Sequence, residues 1–332
     1  MGEFDLIARY FKRPARRAAL GVGDDCALLA PTPGTQLAIS SDMLVQGRHF
    51  FADVDPRTLG HKALAVNLSD LAACGAKPLA FTLALALPSA DEAWLAAFSG
   101  GLLALADAHE CELIGGDTTG GPLNICITVF GEVPVHHGQS QALLRSGARP
   151  GDDLYVSGTV GDARLALDVL LGKYAVPAEV LAAARARLET PTPRVALGLA
   201  LRGVATSAID VSDGLLGDLG HILECSGVGA TMQADDAIKS IATHAFTTRA
   251  SGQFDVKFST EQWRALALAG GDDYELLFTA PTQQRAAVAA AAQASQTPVR
   301  RIGQIEPEPG LRLLDAQGRP LPNHYASFDH FA

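Results

Sequence analysis

The sequence predicts an α/β fold in two domains, from three observations. Strand-like and helix-like segments alternate along the whole chain. Its 332 residues exceed the roughly 100–200 of a single domain. Apolar residues make up 48% against 19% charged, enough for two cores and too apolar for a disordered chain.

The elements follow in order. Phe4, Ile7, Tyr10 and Phe11 have helical spacing, and the basic cluster Arg9, Lys12, Arg13, Arg16 and Arg17 reads as a solvated helix end, with a phosphate or membrane contact as the alternative. A strand over 36–39 ends at Ser40-Ser41-Asp42. Asp55-Pro56 starts a helix that runs to about Gly75, with Asp as its cap and Pro in the first turn. A strand follows over 78–87, and Ser89 with Glu92 forms a capping box ahead of Trp94, Leu95 and Phe98. Leu113-Ile114 is a strand ending at Gly115-Gly116-Asp117, and 123–133 is another. The polar, Gly- and Pro-containing stretch 145–152 (RSGARPGD) divides the chain into domains 1–145 and 146–332. Beyond it, 154–157, 208–211 and 275–279 read as strands. Helices are expected over 162–171, 181–188, 195–201, 215–225 and the alanine-rich 286–294. The second GGD string, at 270–272, suggests two related α/β layers.

Composition excludes several classes. A net charge of −10 and a pI near 5.3 argue against nucleic acid as a partner. The most apolar run, 79–87, is about half the ~18–20 residues of a membrane span. Glu3 and Asp5 precede any basic residue, unlike a secretory signal. Five widely spaced cysteines without a C-x-x-C pair predict free, mostly buried thiols in a reducing cytoplasm.

The informative acids stand at the ends of strands, among Gly and Ser. Asp24 and Asp25 follow Gly21-Val22-Gly23, Asp42 follows two serines, and Asp117 and Asp272 each follow two glycines. Asp210 ends an apolar run, and Ser212-Asp213-Gly214 opens a helix. Asp70 shares a helical face with Leu59, Ala63 and Val66, while Leu64, Leu68 and Leu71 make the other faces apolar. A carboxylate on so buried a helix is costly unless paired or metal-bound. A hard cation such as magnesium accounts for the set, because it takes oxygen ligands and completes its shell with phosphates and water. Each acid taken singly also fits a turn or a cap. His49, after Gly47-Arg48, and Arg145 fit either a ligand contact or an exposed loop. No P-loop, G-x-S-x-G or H-E-x-x-H string occurs.

Eight strings, in order over nearly the whole chain, resemble the thiamine-monophosphate kinase family. They are GVGDDCALL (21–29), LAISSDMLVQGRHF (37–50), KALAVNLSDLAACGAKP (62–78), LIGGDTTGGPL (113–123), RSGARPGD (145–152), SAIDVSDGL (207–215), GGDDYELLFT (270–279) and SFDHF (327–331). The resemblance implies a two-domain aminoimidazole ribonucleotide synthetase-like fold, α/β (α+β), with mixed sheets covered by helices. It implies a cytoplasmic homodimer that uses ATP to phosphorylate thiamine monophosphate. Asp25, Ser40, Ser41, Asp42, Asp70, Asp117, Asp210 and Asp213 would hold several magnesium ions, and a monovalent cation is a further candidate cofactor. Asp42 and Asp117 would be central to catalysis, with no general base. Gly116, Asp117, Arg145 and Ser212 would contact ATP; His49, Asp272 and Phe328 would contact the acceptor. The residues alone leave Asp24 and Asp25 equivalent, and the resemblance selects Asp25. Ser41 stands where Thr is common, and Asp272 where Glu is common, so that a water could bridge the shorter side chain to substrate. Two other readings stay open: another ATP-using enzyme of the superfamily acting on a ribonucleotide, and a regulatory nucleotide-binding module.

Overall fold

A computed structural model describes residues 2–238 and 258–325. The chain divides into two compact units, Met1–Leu71 with Ala76–Ala142, and Ala72–Gly75 with Leu143–Ala332.

The first unit contains α1 (Glu3–Tyr10), β1 (Thr35–Val45), α2 (Pro56–Ala73), β2 (Lys77–Leu87), α3 (Glu92–Ala108), β3 (Glu112–Gly120), β4 (Asn124–His136) and β5 (Gln139–Ser140). Its sheet runs β1-β4-β2-β3, with β5 also on β4. Only the β2–β3 pairing is parallel, so the sheet is mixed. β1 does not stop at Ile39: Ser40, Ser41 and Asp42 pair with Val129, Thr128 and Ile127. Gly115, Gly116 and Asp117 likewise lie within β3, opposite Thr82, Leu83 and Ala84. Both are edge strands, whose exposed side tolerates polar residues and glycine that a central strand would not.

α2 is buried on most sides: Leu59, Leu64, Leu68 and Leu71 are buried, and so are the polar Lys62, Asn67 and Ser69. Asp55 caps it by accepting the Arg57 N–H at 2.7 Å. α2 and α3 meet backbone to backbone: a Cβ on Gly60 would lie 2.1 Å from the Phe98 carbonyl, and one on Gly101 1.9 Å from that of Arg57. α3 is capped by Asp91, which accepts from the Ala93 and Trp94 N–H groups, rather than by Ser89. The basic cluster is not merely solvated. Arg9, Arg13 and Arg17 pair with Glu92, Asp107 and Glu110 at 2.8–3.0 Å.

The second unit contains β6 (Asp153–Ser157), α4 (Asp162–Leu170), α5 (Ala178–Glu189), α6 (Val195–Ala200), β7 (Ser207–Asp210), α7 (Leu215–Ser226), β8 (Gly229–Gln233) and α8 (Ala234–Ile238). It continues with α9 (Thr260–Ala269), β9 (Leu276–Ala280), α10 (Arg285–Ala294), β10 (Val299–Glu306), β11 (Gly310–Leu314) and β12 (Pro320–Leu321). The sheet order is β12-β11-β8-β10-β6-β9-β7, with β8 and β11 parallel. Leu154, Val156, Leu165, Leu219, Ile222, Leu277 and Ile302 anchor its core.

The cysteines depart from expectation. All five are free, but only Cys111 is buried, and Cys26 and Cys225 are exposed. Among the described residues, no helix is long and apolar enough to cross a membrane.

Candidate active site

In the first unit, strand alternation divides β1 into two faces. Ala38, Ser40, Asp42 and Leu44 are half-buried or buried, whereas Leu37, Ile39, Ser41 and Met43 are exposed. Ser40 Oγ donates to Asp70 Oδ2, which ties the strand to α2. One turn earlier, Asn67 Oδ1 accepts the Asp42 N–H at 3.1 Å, while its own Nδ2 donates to the Ala63 carbonyl at 3.0 Å. Asn67 and Asp70, three residues apart on one helix face, therefore hold Ser40 and Asp42. Ser41 belongs to the other face, where its hydroxyl donates to the Ile127 carbonyl at 3.1 Å and meets Thr128 Oγ1 at 3.0 Å.

Asp117 is not beside this group. The registers place Asp42, Ile127, Leu83 and Gly116 in one row across four strands, with Asp117 in the next row. At about 4.8 Å per strand, that row spans roughly 14 Å. Gly116 is a steric requirement: at φ 148°, a Cβ would lie 1.9 Å from the Leu83 carbonyl. Ile7, Phe11, Val22 and Leu83 form an apolar recess beside Gly116 and Asp117. Asp24 and Asp25 are exposed, and Asp24 Oδ1 accepts the Asp25 N–H at 2.8 Å. His49 is half-buried in the turn after β1, with Nδ1 accepting the Val45 N–H at 2.9 Å. In the neutral ring that places the proton on Nε2.

In the second unit, two loops carry the remaining candidates. Asp210 ends β7 and is buried. The N–H groups of Ser212, Asp213 and Gly214 all donate to Asp218 Oδ2, at 3.1–3.2 Å. Burial, then the nearby Asp213 carboxylate, raises the Asp218 carboxyl to about 7, against the lowering by those three donors. The second loop is laced to the first: the Asp272 N–H donates to the Ser212 carbonyl and the Tyr274 N–H to that of Val211, each at 2.8 Å. Gly271 permits this approach, since a Cβ there would lie 2.4 Å from the Ser212 carbonyl. Asp273 turns inward and accepts the Gly161 N–H at 2.8 and 3.0 Å; burial pushes its carboxyl well up. Glu275, fully buried, receives Arg187 at 2.7 Å and Arg194 at 2.5 and 2.6 Å. Arg145 is exposed, in a loop held by Ser226, whose hydroxyl accepts the N–H groups of Gly147 and Ala148 at 3.2 Å. Phe328 lies outside the described residues.

The donor chemistry fits a hard cation, because the grouped side chains Ser40, Asp42 and Asp70 offer only oxygen. Among the described residues, no group of three or more His, Cys, Asp or Glu side chains is gathered to hold a metal. A cation there would draw the rest of its shell from phosphate and water, as magnesium commonly does.

Comparison with known proteins settles the family. The family models AIR synthase related protein, N-terminal domain and C-terminal domain, match residues 23–133 and 149–316. Thiamine-monophosphate kinase of Salmonella typhimurium is 46% identical over 337 residues, covering 100% of this chain and 98% of the relative. The chain belongs to the thiamine-monophosphate kinase family. Among solved structures, the Stenotrophomonas maltophilia thiamine-monophosphate kinase matches with a TM-score of 0.81 at 44% identity, covering 96% of each chain. AaThiL complexed with AMPPCP and TMP matches at 0.74 and 27% identity, over 99% of this chain and 97% of that one. The two-domain fold with mixed sheets is thus that of the thiamine-monophosphate kinases.

The supporting residues of this candidate site were less visible than its acids. Asn67 lies within the string 62–78 but was not singled out as a site residue, and Asp218 carries no motif of its own. Asp218 nevertheless had a signal: with Leu215, Leu219 and Ile222 it falls on one buried face of α7, the test that singles out Asp70 on α2.

Proposed function

We propose that this chain phosphorylates thiamine monophosphate to thiamine diphosphate by direct in-line transfer of the γ-phosphate of ATP, without a phospho-enzyme. The observation that carries the reading is whole-chain similarity to thiamine-monophosphate kinases, one of them solved with AMPPCP and TMP together. The attacking group is a phosphate oxygen, already ionised at neutral pH, so positioning and charge neutralisation suffice and no general base is needed. Asp25, Ser40, Asp42, Asp70, Asp117, Asp210 and Asp213 would hold magnesium ions by their side chains. Ser41 belongs to the same proposed set, although its hydroxyl is engaged on the other face of β1. Bound there, the ions would offset repulsion between the two phosphate chains; a monovalent cation is a further candidate.

In this reading Gly116 and Asp117 take ATP at the β3 edge. Arg145 and Ser212 bind its phosphates. His49, Asp272 and Phe328 bind the acceptor, with the Asp272 carboxylate facing the cationic thiamine part. The protein is proposed to be a cytoplasmic homodimer, joined by the exposed apolar face of β1.

The test is direct. Purified protein with ATP, magnesium and thiamine monophosphate should form thiamine diphosphate, detected by chromatography; no product would overturn the reading. With γ-labelled ATP, label retained on protein and chased into product would overturn direct transfer. Asp42→Asn and Asp117→Asn should each lower kcat by about 10²–10³-fold, as for loss of a transition-state charge stabiliser, with an unchanged melting temperature.

A further inference from the structure

The segment 270–275 divides its residues between two tasks. Asp273 and Glu275 are fully buried and tie the segment to Gly161, Arg187 and Arg194. Asp272 and Tyr274 are half-buried, and both have left-handed backbone, at φ +65° and +50°. That conformation suits Asp but is unusual for an aromatic residue. It is held by hydrogen bonds from the Asp272 and Tyr274 N–H groups to Ser212 and Val211, and from the Val211 N–H to Glu275, each 2.8 Å. In this geometry Tyr274 Oη donates to Asp272 Oδ1 at 3.1 Å.

We infer that Tyr274 is a positioning residue for the acceptor: its hydroxyl fixes the plane of the Asp272 carboxylate against the cationic thiamine part of the substrate. The inference rests on the reading that Asp272 contacts that substrate. A strained aromatic position is kept where the surrounding structure over-determines it, and such positions cluster at functional sites. Here the buried Asp273 and Glu275 supply the constraint, and the product is one oriented carboxylate. The short side chain of Asp makes that orientation matter more, because few of its rotamers can reach a ligand.

Steady-state kinetics on the whole enzyme test this with Tyr274→Phe, Asp272→Gly and the double variant. Glycine suits the left-handed position and deletes only the carboxylate. Tyr274→Phe should raise the KM for thiamine monophosphate, and the Ki of thiamine as a competitive inhibitor, by about three- to tenfold, the worth of one hydrogen bond. The KM for ATP and the melting temperature should stay as in the wild type, which a merely structural role would not allow. In the Asp272→Gly background the same change should alter the acceptor KM less than twofold. A Tyr274→Phe effect below twofold, or an equal effect with and without Asp272, overturns the positioning role alone. An Asp272→Gly variant with wild-type acceptor KM overturns the underlying assignment of Asp272, and the inference with it.

Discussion

Asp218 and Asp153 show how single buried carboxylates organise this protein in opposite ways. Asp218 is 2% exposed and satisfies three consecutive N–H groups of the loop that carries Ser212 and Asp213. Asp218→Ala would leave those donors buried without an acceptor, at about 1–3 kcal/mol for each that water does not reach. Denaturant unfolding should show a loss of about 3 kcal/mol, and kcat should fall with it; a loss below about 1 kcal/mol would sink the idea that this carboxylate holds the loop. Asp153 instead opens β6, an inner strand of its sheet. Burial raises its carboxyl, but hydrogen bonds from Arg285 at 2.5 Å and Arg301 at 2.9 Å outweigh that and hold it below the usual range. A depressed folded value stabilises the protein above the unfolded pKa near 4, and the contribution vanishes as pH falls through the folded value. Asp153→Asn should therefore cost about 1–2 kcal/mol at pH 7, since Arg285 and Arg301 are half-exposed and stay solvated when unpaired. The gap to wild type should close on acidification below pH ~4, and equal gaps at both ends of the titration would refute it.

Elements with a strong period or a turn signal were legible in the sequence, and those that depend on partners were not. α2 was readable from its all-round apolar pattern and the Asp55-Pro56 start. β1 and β3 run on through Ser40-Ser41-Asp42 and Gly115-Gly116-Asp117, because pairing with β4 and β2, not side-chain polarity, decides where an edge strand stops. The capping box of α9, Ser259 with Gln262, was a local signal that the strand and helix expectations passed over. β8, β11 and β12 are short, and β10 is held between β8 and β6, so their partners and not a pattern of their own define them. The acids of the site were visible as a class, but their grouping was not: which strand face each occupies is fixed by register. The α2–α3 crossing belongs to this scale too. Gly101→Ala would drive a methyl into the Arg57 carbonyl, 1.9 Å away, and push α3 off the helix that holds Asn67 and Asp70. Overpacking of this kind costs about 1–3 kcal/mol. Thermal unfolding should show the loss, and kcat should fall as Ser40 and Asp42 lose their supports; an unchanged melting temperature would mean that the crossing adjusts freely.

At the scale of the whole molecule, the open face of β1 is what a single chain leaves unfinished. Leu37, Ile39 and Met43 are 42, 60 and 52% exposed, side by side on an edge strand. An edge that is long and apolar recruits a second strand or sheet unless something covers it. A second copy of this chain is the proposed cover, and a twofold interface uses the same patch from both subunits. Any substitution there acts twice. Burying an isoleucine contributes about 1.5–3 kcal/mol, so Ile39→Lys removes about 3–6 kcal/mol per dimer and adds two ammonium groups that must be desolvated. The dissociation constant should rise by at least 10²-fold, at 1.4 kcal/mol per tenfold. Sedimentation velocity at micromolar concentration should show a wild-type dimer and an Ile39→Lys monomer with unchanged secondary structure, because Ile39 lies outside the core. A wild-type monomer would remove the proposed dimer. A dimeric Ile39→Lys variant would move the interface to another face of the molecule.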